Sequence, residues 1–219
     1  MQRVLTNAAA FGLALVLVVG AMRLSTRATA GTQSGFLPLR TPAAGQEEAT
    51  FSGGCFWAMQ AMFSQLRGVD SVEPGYAGGS AVRPTYEDVC TETTGHAETI
   101  DVIFDPKIIS YDRLMTVFFA VHDPTTPDRQ GDDEGSSYRS MVFYHNDSQR
   151  NAATSAVAKW EQAHPGQHVV TQIVPFTVFY PAETYHNNYF VHHQDEPYCA
   201  FTVAPKVEKF RDHFGAWLK

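Results

Sequence analysis

The chain lacks several features that would fix its class at once. Its 219 residues hold only three cysteines, Cys55, Cys90 and Cys199, far apart and without a CxxC pair. That excludes a dense disulfide framework. Lysine and arginine total 16 against 23 acidic residues, a formal charge of −7, and no run of basic residues occurs. Nucleic acid and anionic membrane surfaces are therefore poor partners. The acidic pair Asp132-Asp133 in RQGDDEG lacks the residue order of an EF-hand calcium loop. No internal repeat is visible. The apolar run Ala8–Met22 is shorter than the about 20 residues of a membrane span.

What is present begins with that run. Arg3 precedes it, and ATA at Ala28–Ala30 has the small-x-small form of a cleavage site. Residues 1–30 are predicted to be a secretory signal peptide, with a retained N-terminal membrane anchor as the alternative. Either reading exports the domain, and the periplasm of a bacterium is the expected compartment. Residues 31–48, rich in Gly, Pro and Thr, read as a flexible linker. Residues 49–219 are long enough for one domain with its own core. An unpaired thiol in an oxidising compartment invites oxidation, so at least one cysteine is suspected of a use.

Hydrophobic period gives the coarse layout. Glu48–Ser52, Val69–Tyr76, Thr99–Phe104 and Arg139–Tyr144 read as strands. Val169–Val174 and Thr177–Tyr180 read as two more, broken by Pro175. Phe56, Met59, Met62, Phe63 and Leu66 recur at helical spacing. Ser110–His122 and Asp147–His164 read as helices, and Glu183–His192 and Val207–His213 as short ones. The tail from Cys199 reads as a strand leading to the last of these helices. Ala77–Tyr86 and Asp123–Ser137 read as loops, the second long and polar. Strands and helices mix without strict βαβ alternation. The expected class is α+β: a single compact domain, a mixed sheet flanked by helices, with long loops around the site.

Cys55 lies in FSGGCFWAMQAMF, after two glycines and at a strand-to-helix junction. A helix N-terminus favours a thiolate, and glycines let backbone approach a ligand. A small, inert core residue is the plainer reading. Phe56 and Trp57 point about 100° apart on a helix, and either wall a pocket beside Cys55 or are core aromatics. Glu98 opens an apolar strand, where burial would raise its pKa and make it a proton donor, or is an ordinary glutamate at a strand edge. Tyr86 and Tyr138 flank polar loops and could hydrogen-bond an oxygen that gains charge, or be half-buried tyrosines of no special role. Asp132 and Asp133 read as solvated charges, with Asp133 a candidate site residue. His186, His192, His193 and Cys199 have no recognised zinc spacing, so metal ligands are assigned nowhere and the histidines read as exposed. Two rivals follow from these residues: a cysteine hydrolase with His186 as base, and a metal-binding module.

Longer motifs carry a resemblance. Gly53-Gly54-Cys55-Phe56-Trp57, Gly75-Tyr76-Ala77-Gly78-Gly79, Pro84-Thr85-Tyr86, Thr94-Gly95-His96-Ala97-Glu98 and Arg129-Gln130-Gly131-Asp132-Asp133 occur in order. Tyr138-Arg139-Ser140 and His186-Asn187-Asn188-Tyr189 follow. The series resembles the peptide methionine sulfoxide reductase A family from about Thr50 to Tyr198. The resemblance implies reduction of methionine-S-sulfoxide, protein-bound or free, without metal or organic cofactor. It makes Cys55 the catalytic cysteine and Phe56 and Trp57 the binders of the S-methyl group. Tyr86, Glu98 and Tyr138 surround the sulfoxide oxygen, and Asp133 supports them. Sulfenic acid on Cys55 would condense with a second thiol, and Cys199 is the candidate resolving residue. Cys90 matches a cysteine usually dispensable for turnover. Oxidised proteins, a thioredoxin-like reductant and a monomeric state are the implied partners and form. Two departures stand out: Ala58 replaces the glycine of GCFWG, and the tail after Cys199 is not glycine-rich.

Overall fold

The computed structural model describes residues 35–219; the expected signal and the start of the linker lie outside that range. Strand β1, Glu47–Ser52, alternates faces as its sequence requires. Ala49 and Phe51 are fully buried on one side, and Thr50 and Ser52 turn to the other and bond side chains of a neighbouring strand. Helix α1, Phe56–Phe63, follows at once. Strand β2 is Val69–Ala77, helix α2 Tyr86–Cys90 and strand β3 Ala97–Phe104. Helix α3, Tyr111–Val121, starts where the Ser110 side chain accepts the Arg113 N–H. The short strands β4, Arg129–Gln130, and β5, Asp133–Glu134, pair with each other. Then come β6, Met141–Tyr144, helix α4, Asp147–Ala163, β7, Gln172–Pro175, and β8, Phe179–Pro181. Helices α5, Tyr189–His192, and α6, Ala204–Phe214, close the chain.

Six strands form one sheet in the order β7-β6-β1-β3-β2-β8. Only β6 and β7 run parallel; the other pairs are antiparallel, so the sheet is mixed as expected. The main core packs Phe51 of β1 against Phe63 of α1 and Phe118 of α3, the Phe51–Phe118 rings stacked 5.1 Å apart. Each such ring withdrawn from water contributes on the order of 2–3 kcal/mol. This core fixes the end of β1, and with it the start of α1.

Four local expectations need correction. The loop from Ala77 ends in α2, because Thr85 and Asp88 form a reciprocal cap. The long polar segment after Asp123 is an ordered hairpin, held where the buried Gln130 side chain accepts the Asp123 N–H and donates to its carbonyl. The helix expected over Glu183–His192 splits into a 3₁₀ turn, Thr184–His186, and α5, since Asn188 takes a left-handed conformation with φ 54°. Where a strand is expected from Cys199 onward, a π-helical turn, Cys199–Val203, leads into α6. Pro205, which has no N–H to give the preceding turn, sits in the first turn of α6. Residues 35–37 of the expected linker run antiparallel to residues 182–184, just after β8: Leu37 N–H donates to the Ala182 carbonyl and the Gly35 carbonyl accepts from Thr184 N–H.

Candidate active site

The end of β1 delivers Gly53, Gly54 and Cys55 to the mouth of α1. Gly54 has φ +88°, and a Cβ there would lie 2.7 Å from Gln130 Cγ, so this position requires glycine. Cys55 is the N-cap residue of α1, with no side-chain cap bond, and is 5% exposed. Its thiol is not the low-pKa group that a helix start alone suggests. Burial first, then the Glu98 charge, pushes it up to about 12, against hydrogen bonds from the Tyr198 hydroxyl and the Ala58 and Trp57 amides. At rest Cys55 is a protonated thiol, with donors already aimed at the thiolate it would become.

Glu98 is buried in β3, where antiparallel register sets it opposite Tyr76. It accepts the Phe56 N–H at 2.8 Å, its only hydrogen bond among the described residues. Burial dominates that bond, and with the charges of Asp133 and Glu92 it raises the Glu98 pKa to about 8. The carboxyl is therefore protonated at neutral pH, as its setting in an apolar strand suggested. The bond ties acid and cysteine together, because Phe56 is the residue after Cys55.

Aromatic rings gather beside this pair. Phe56 is 1% exposed and lies among Tyr76, Tyr86 and His186. Trp57 is half-buried, stacked on Tyr189 at 3.9 Å and edge-on to Tyr198. The two point to different sides of α1 yet converge on His186. Trp57 Nε1 donates to His186 Nδ1 at 3.0 Å, so Nδ1 is the acceptor and Nε2 carries the proton. Burial lowers the His186 pKa to about 4. His186 is thus neutral, fully buried and engaged with Trp57, the reverse of an exposed histidine. A hydrolase base it is not: its acceptor nitrogen is occupied by indole. Of its neighbours, His192 is exposed and His193 half-buried.

Tyr86 and Tyr138 are both half-buried, and the Glu98 charge acts on each. Asp133 is buried rather than solvated. The Tyr198 hydroxyl lies 3.0 and 3.1 Å from its two oxygens, and Lys206 Nζ is 3.7 Å away. Asp132 is exposed, as expected. Tyr198 went unsingled in the sequence; its one signal is adjacency to Cys199. That cysteine is fully buried in the π-helical turn, whereas Cys90 is exposed at the end of α2. The candidate residues Cys55, Phe56, Trp57, Tyr86, Glu98, Asp133 and Tyr138 are thus brought together. A crevice of about 870 Å³ meets Cys55 from the α3 side and is lined by Met59, Met115 and Phe119. The pocket aromatics do not line it.

Among the described residues, one group of potential metal ligands occurs, Glu48, Asp101 and His145, away from Cys55 on the sheet. Neither His186 nor Cys199 belongs to it.

The peptide methionine sulfoxide reductase family model matches residues 47–217. The chain is 49% identical over 168 residues to a peptide methionine sulfoxide reductase MsrA of Sulfolobus acidocaldarius, covering 77% of this chain and 95% of that one. It is 48% identical over 173 residues to one of Polynucleobacter asymbioticus, covering 78% and 91%. Among solved structures, methionine sulfoxide reductase A of Corynebacterium diphtheriae aligns with a TM-score of 0.66 and 29% identity over 74% of this chain and 87% of that one. Reduced Mxr1 of Saccharomyces cerevisiae aligns with 0.67 and 30% over 73% and 92%. The chain belongs to the peptide methionine sulfoxide reductase family, and its activity is the thiol-dependent reduction of methionine sulfoxide.

Proposed function

We propose that Cys55 takes the oxygen of methionine-S-sulfoxide, with Glu98 as the proton donor. The observation that carries this reading is the 2.8 Å bond between Phe56 N–H and a Glu98 carboxyl protonated at neutral pH. It holds an acid beside a thiol at one helix start. Trp57, backed by Phe56, receives the S-methyl group, since an aromatic wall accepts the methyl and excludes water. Tyr86 and Tyr138 donate to the sulfoxide oxygen as it gains charge. Glu98 protonates that oxygen and recovers a proton from Cys55 as the sulfur attacks. The forming thiolate is met by the Trp57 and Ala58 amides and the Tyr198 hydroxyl, with Asp133 fixing that hydroxyl. The S–O bond to substrate breaks, methionine leaves, and Cys55 holds a sulfenic acid: sulfur of the substrate is reduced and sulfur of Cys55 oxidised by two electrons.

A second thiol then displaces hydroxide as water, giving a disulfide. Cys199, buried in the π-helical turn, is the candidate for that thiol. A thioredoxin-like protein restores the thiols. In an exported domain, the compartment supplies no such reductant by default, so a dedicated delivery route belongs to this reading. Export itself rests on the Arg3, apolar run and Ala28–Ala30 pattern.

The test is turnover of blocked methionine sulfoxide with dithiothreitol, each sulfur epimer followed separately. Consumption of the S epimer alone, lost in Cys55→Ser, is the expected result. Equal consumption of both epimers, or an active Cys55→Ser chain, contradicts it.

A further inference from the structure

Glu92 stands between two of the residues just described, after Tyr86 and before Glu98; its charge is among the causes of the raised Glu98 pKa, but no step above runs through it. Its backbone is left-handed, φ 60°, a conformation that non-glycine residues adopt at a cost. Its carboxylate is saturated with donors from a distant segment. Oε2 accepts the Ser136 hydroxyl at 2.6 Å and the Ser137 N–H at 2.9 Å, and Oε1 accepts the Ser137 hydroxyl at 2.6 Å. The carboxylate also lies against Gly135, where a Cβ would come within 2.5 Å of Oε1. Burial raises the Glu92 pKa, but the Ser136 and Ser137 bonds outweigh it, so the group stays ionised.

Those donors sit in the 3₁₀ turn Ser136–Tyr138, in which Tyr138 N–H donates to Gly135. Arg139 holds the same turn from the other side, donating to the Ser136 and Gly95 carbonyls at 2.7 and 2.8 Å. The turn begins just after Asp133 and ends on Tyr138. One carboxylate therefore joins the connection between α2, which starts at Tyr86, and β3, which holds Glu98, to the connection that follows Asp133 of β5 and contains Tyr138. Charge-assisted bonds of this length are among the stronger links a loop can have.

We propose that Glu92 is a positioning residue for Tyr138: it clasps the Ser136–Tyr138 turn so that the Tyr138 hydroxyl faces the oxygen protonated by Glu98. This rests on the reading of Tyr138 as a donor to that oxygen. Donors to a developing charge act in the transition state, so loosening one lowers kcat with little change in KM.

Glu92→Gly removes the clasp and, with it, the left-handed strain, because glycine accepts φ 60° freely. Its melting temperature should therefore stay near that of the parent. A purely structural role predicts loss of stability and activity together. Glu92→Gln, which keeps size and an acceptor for the Ser137 N–H but removes the charge that strengthens the bonds and puts an NH2 against the Ser137 hydroxyl, is the second variant. The experiment measures kcat and KM for blocked methionine-S-sulfoxide with dithiothreitol in the full chain, for both variants, for Tyr138→Phe, and for Glu92→Gly/Tyr138→Phe. We expect kcat to fall about tenfold in Glu92→Gly with KM within about twofold, and the double variant to be no slower than Tyr138→Phe alone. Independent, multiplying losses would overturn the proposal, as would kcat unchanged in both Glu92 variants. A Tyr138→Phe chain as fast as the parent would overturn both the proposal and the reading of Tyr138. Loss in Tyr138→Phe without loss in the Glu92 variants would overturn the clasp alone.

Discussion

Two buried acids, Cys55 and Glu98, lie side by side, and the charge of the second bears on the proton of the first. The Glu98 charge is the second cause, after burial, of the raised Cys55 pKa. Were Glu98 ionised, the thiolate would form against a neighbouring negative charge. With the Glu98 pKa raised to about 8, the neutral acid prevails at pH 7, and that repulsion is absent. Activity needs the protonated form, so kcat/KM should decline as pH rises through about 8. Glu98→Gln can still accept the Phe56 N–H but cannot deliver a proton. It should lose about a hundredfold in kcat, the usual scale of general acid catalysis, and the alkaline decline due to Glu98 should vanish. A pH–rate profile of both proteins checks this; an unchanged alkaline limb in the variant would contradict the assignment. Much of this was readable in advance. The glycine pair and the helical stripe beginning at Phe56 located Cys55, and an acid opening an apolar strand suggested a raised pKa. The bond from Phe56 N–H to Glu98 was not readable, because it depends on how the start of α1 sits against β3. His186 was misread for a similar reason: no sequence spacing tells that its partner is the Trp57 indole, 129 positions away.

At the scale of elements, the sheet contributes more than a platform. On the face of β1 away from the main core, Thr50 donates to Asp101 Oδ1 at 2.9 Å and lies 2.9 Å from His145 Nε2. Asp101, opposite Thr50 on β3, is buried, and burial followed by the Glu48 carboxylate raises its pKa. A carboxyl with a raised folded pKa binds more protons folded than unfolded. Its contribution is therefore present at low pH and lost as pH rises from about 4, the unfolded value, through the folded one. Asp101→Asn keeps an acceptor for Thr50 and a donor for Glu48 without the charge. Its melting temperature should gain on the parent between pH 5 and pH 9, at about 2–4 °C per kcal/mol for a domain of this size. A gap that stays constant with pH would show that Asp101 does not titrate in this range. The π-helical turn shows where element assignment from sequence stops. PYCAFTV holds a short continuous apolar run, residues 198–201, and such a run reads as strand or buried helix alike. The turn is helical because α6 continues it and Val203 and Val207 both bury in the core.

For the whole molecule, the mixed sheet and single core were legible from strand and helix periodicities, and the α+β class holds. The order of strands was not, since β1 pairs with β3 and β6 across long stretches of chain. Tertiary pairing of that kind leaves no local trace. It nevertheless makes the site: the turn after β1 carries Cys55, β3 carries Glu98, and the loop into β6 carries Tyr138. The central claim is that the oxygen lost by the substrate arrives on Cys55. The most direct measurement is a single turnover without reductant in a Cys90→Ser/Cys199→Ser chain, followed by trapping of sulfenic acid with a carbon nucleophile and peptide mass spectrometry. The account predicts one methionine released per chain and the label on Cys55 alone. Methionine released with Cys55 unlabelled and still a free thiol would contradict it.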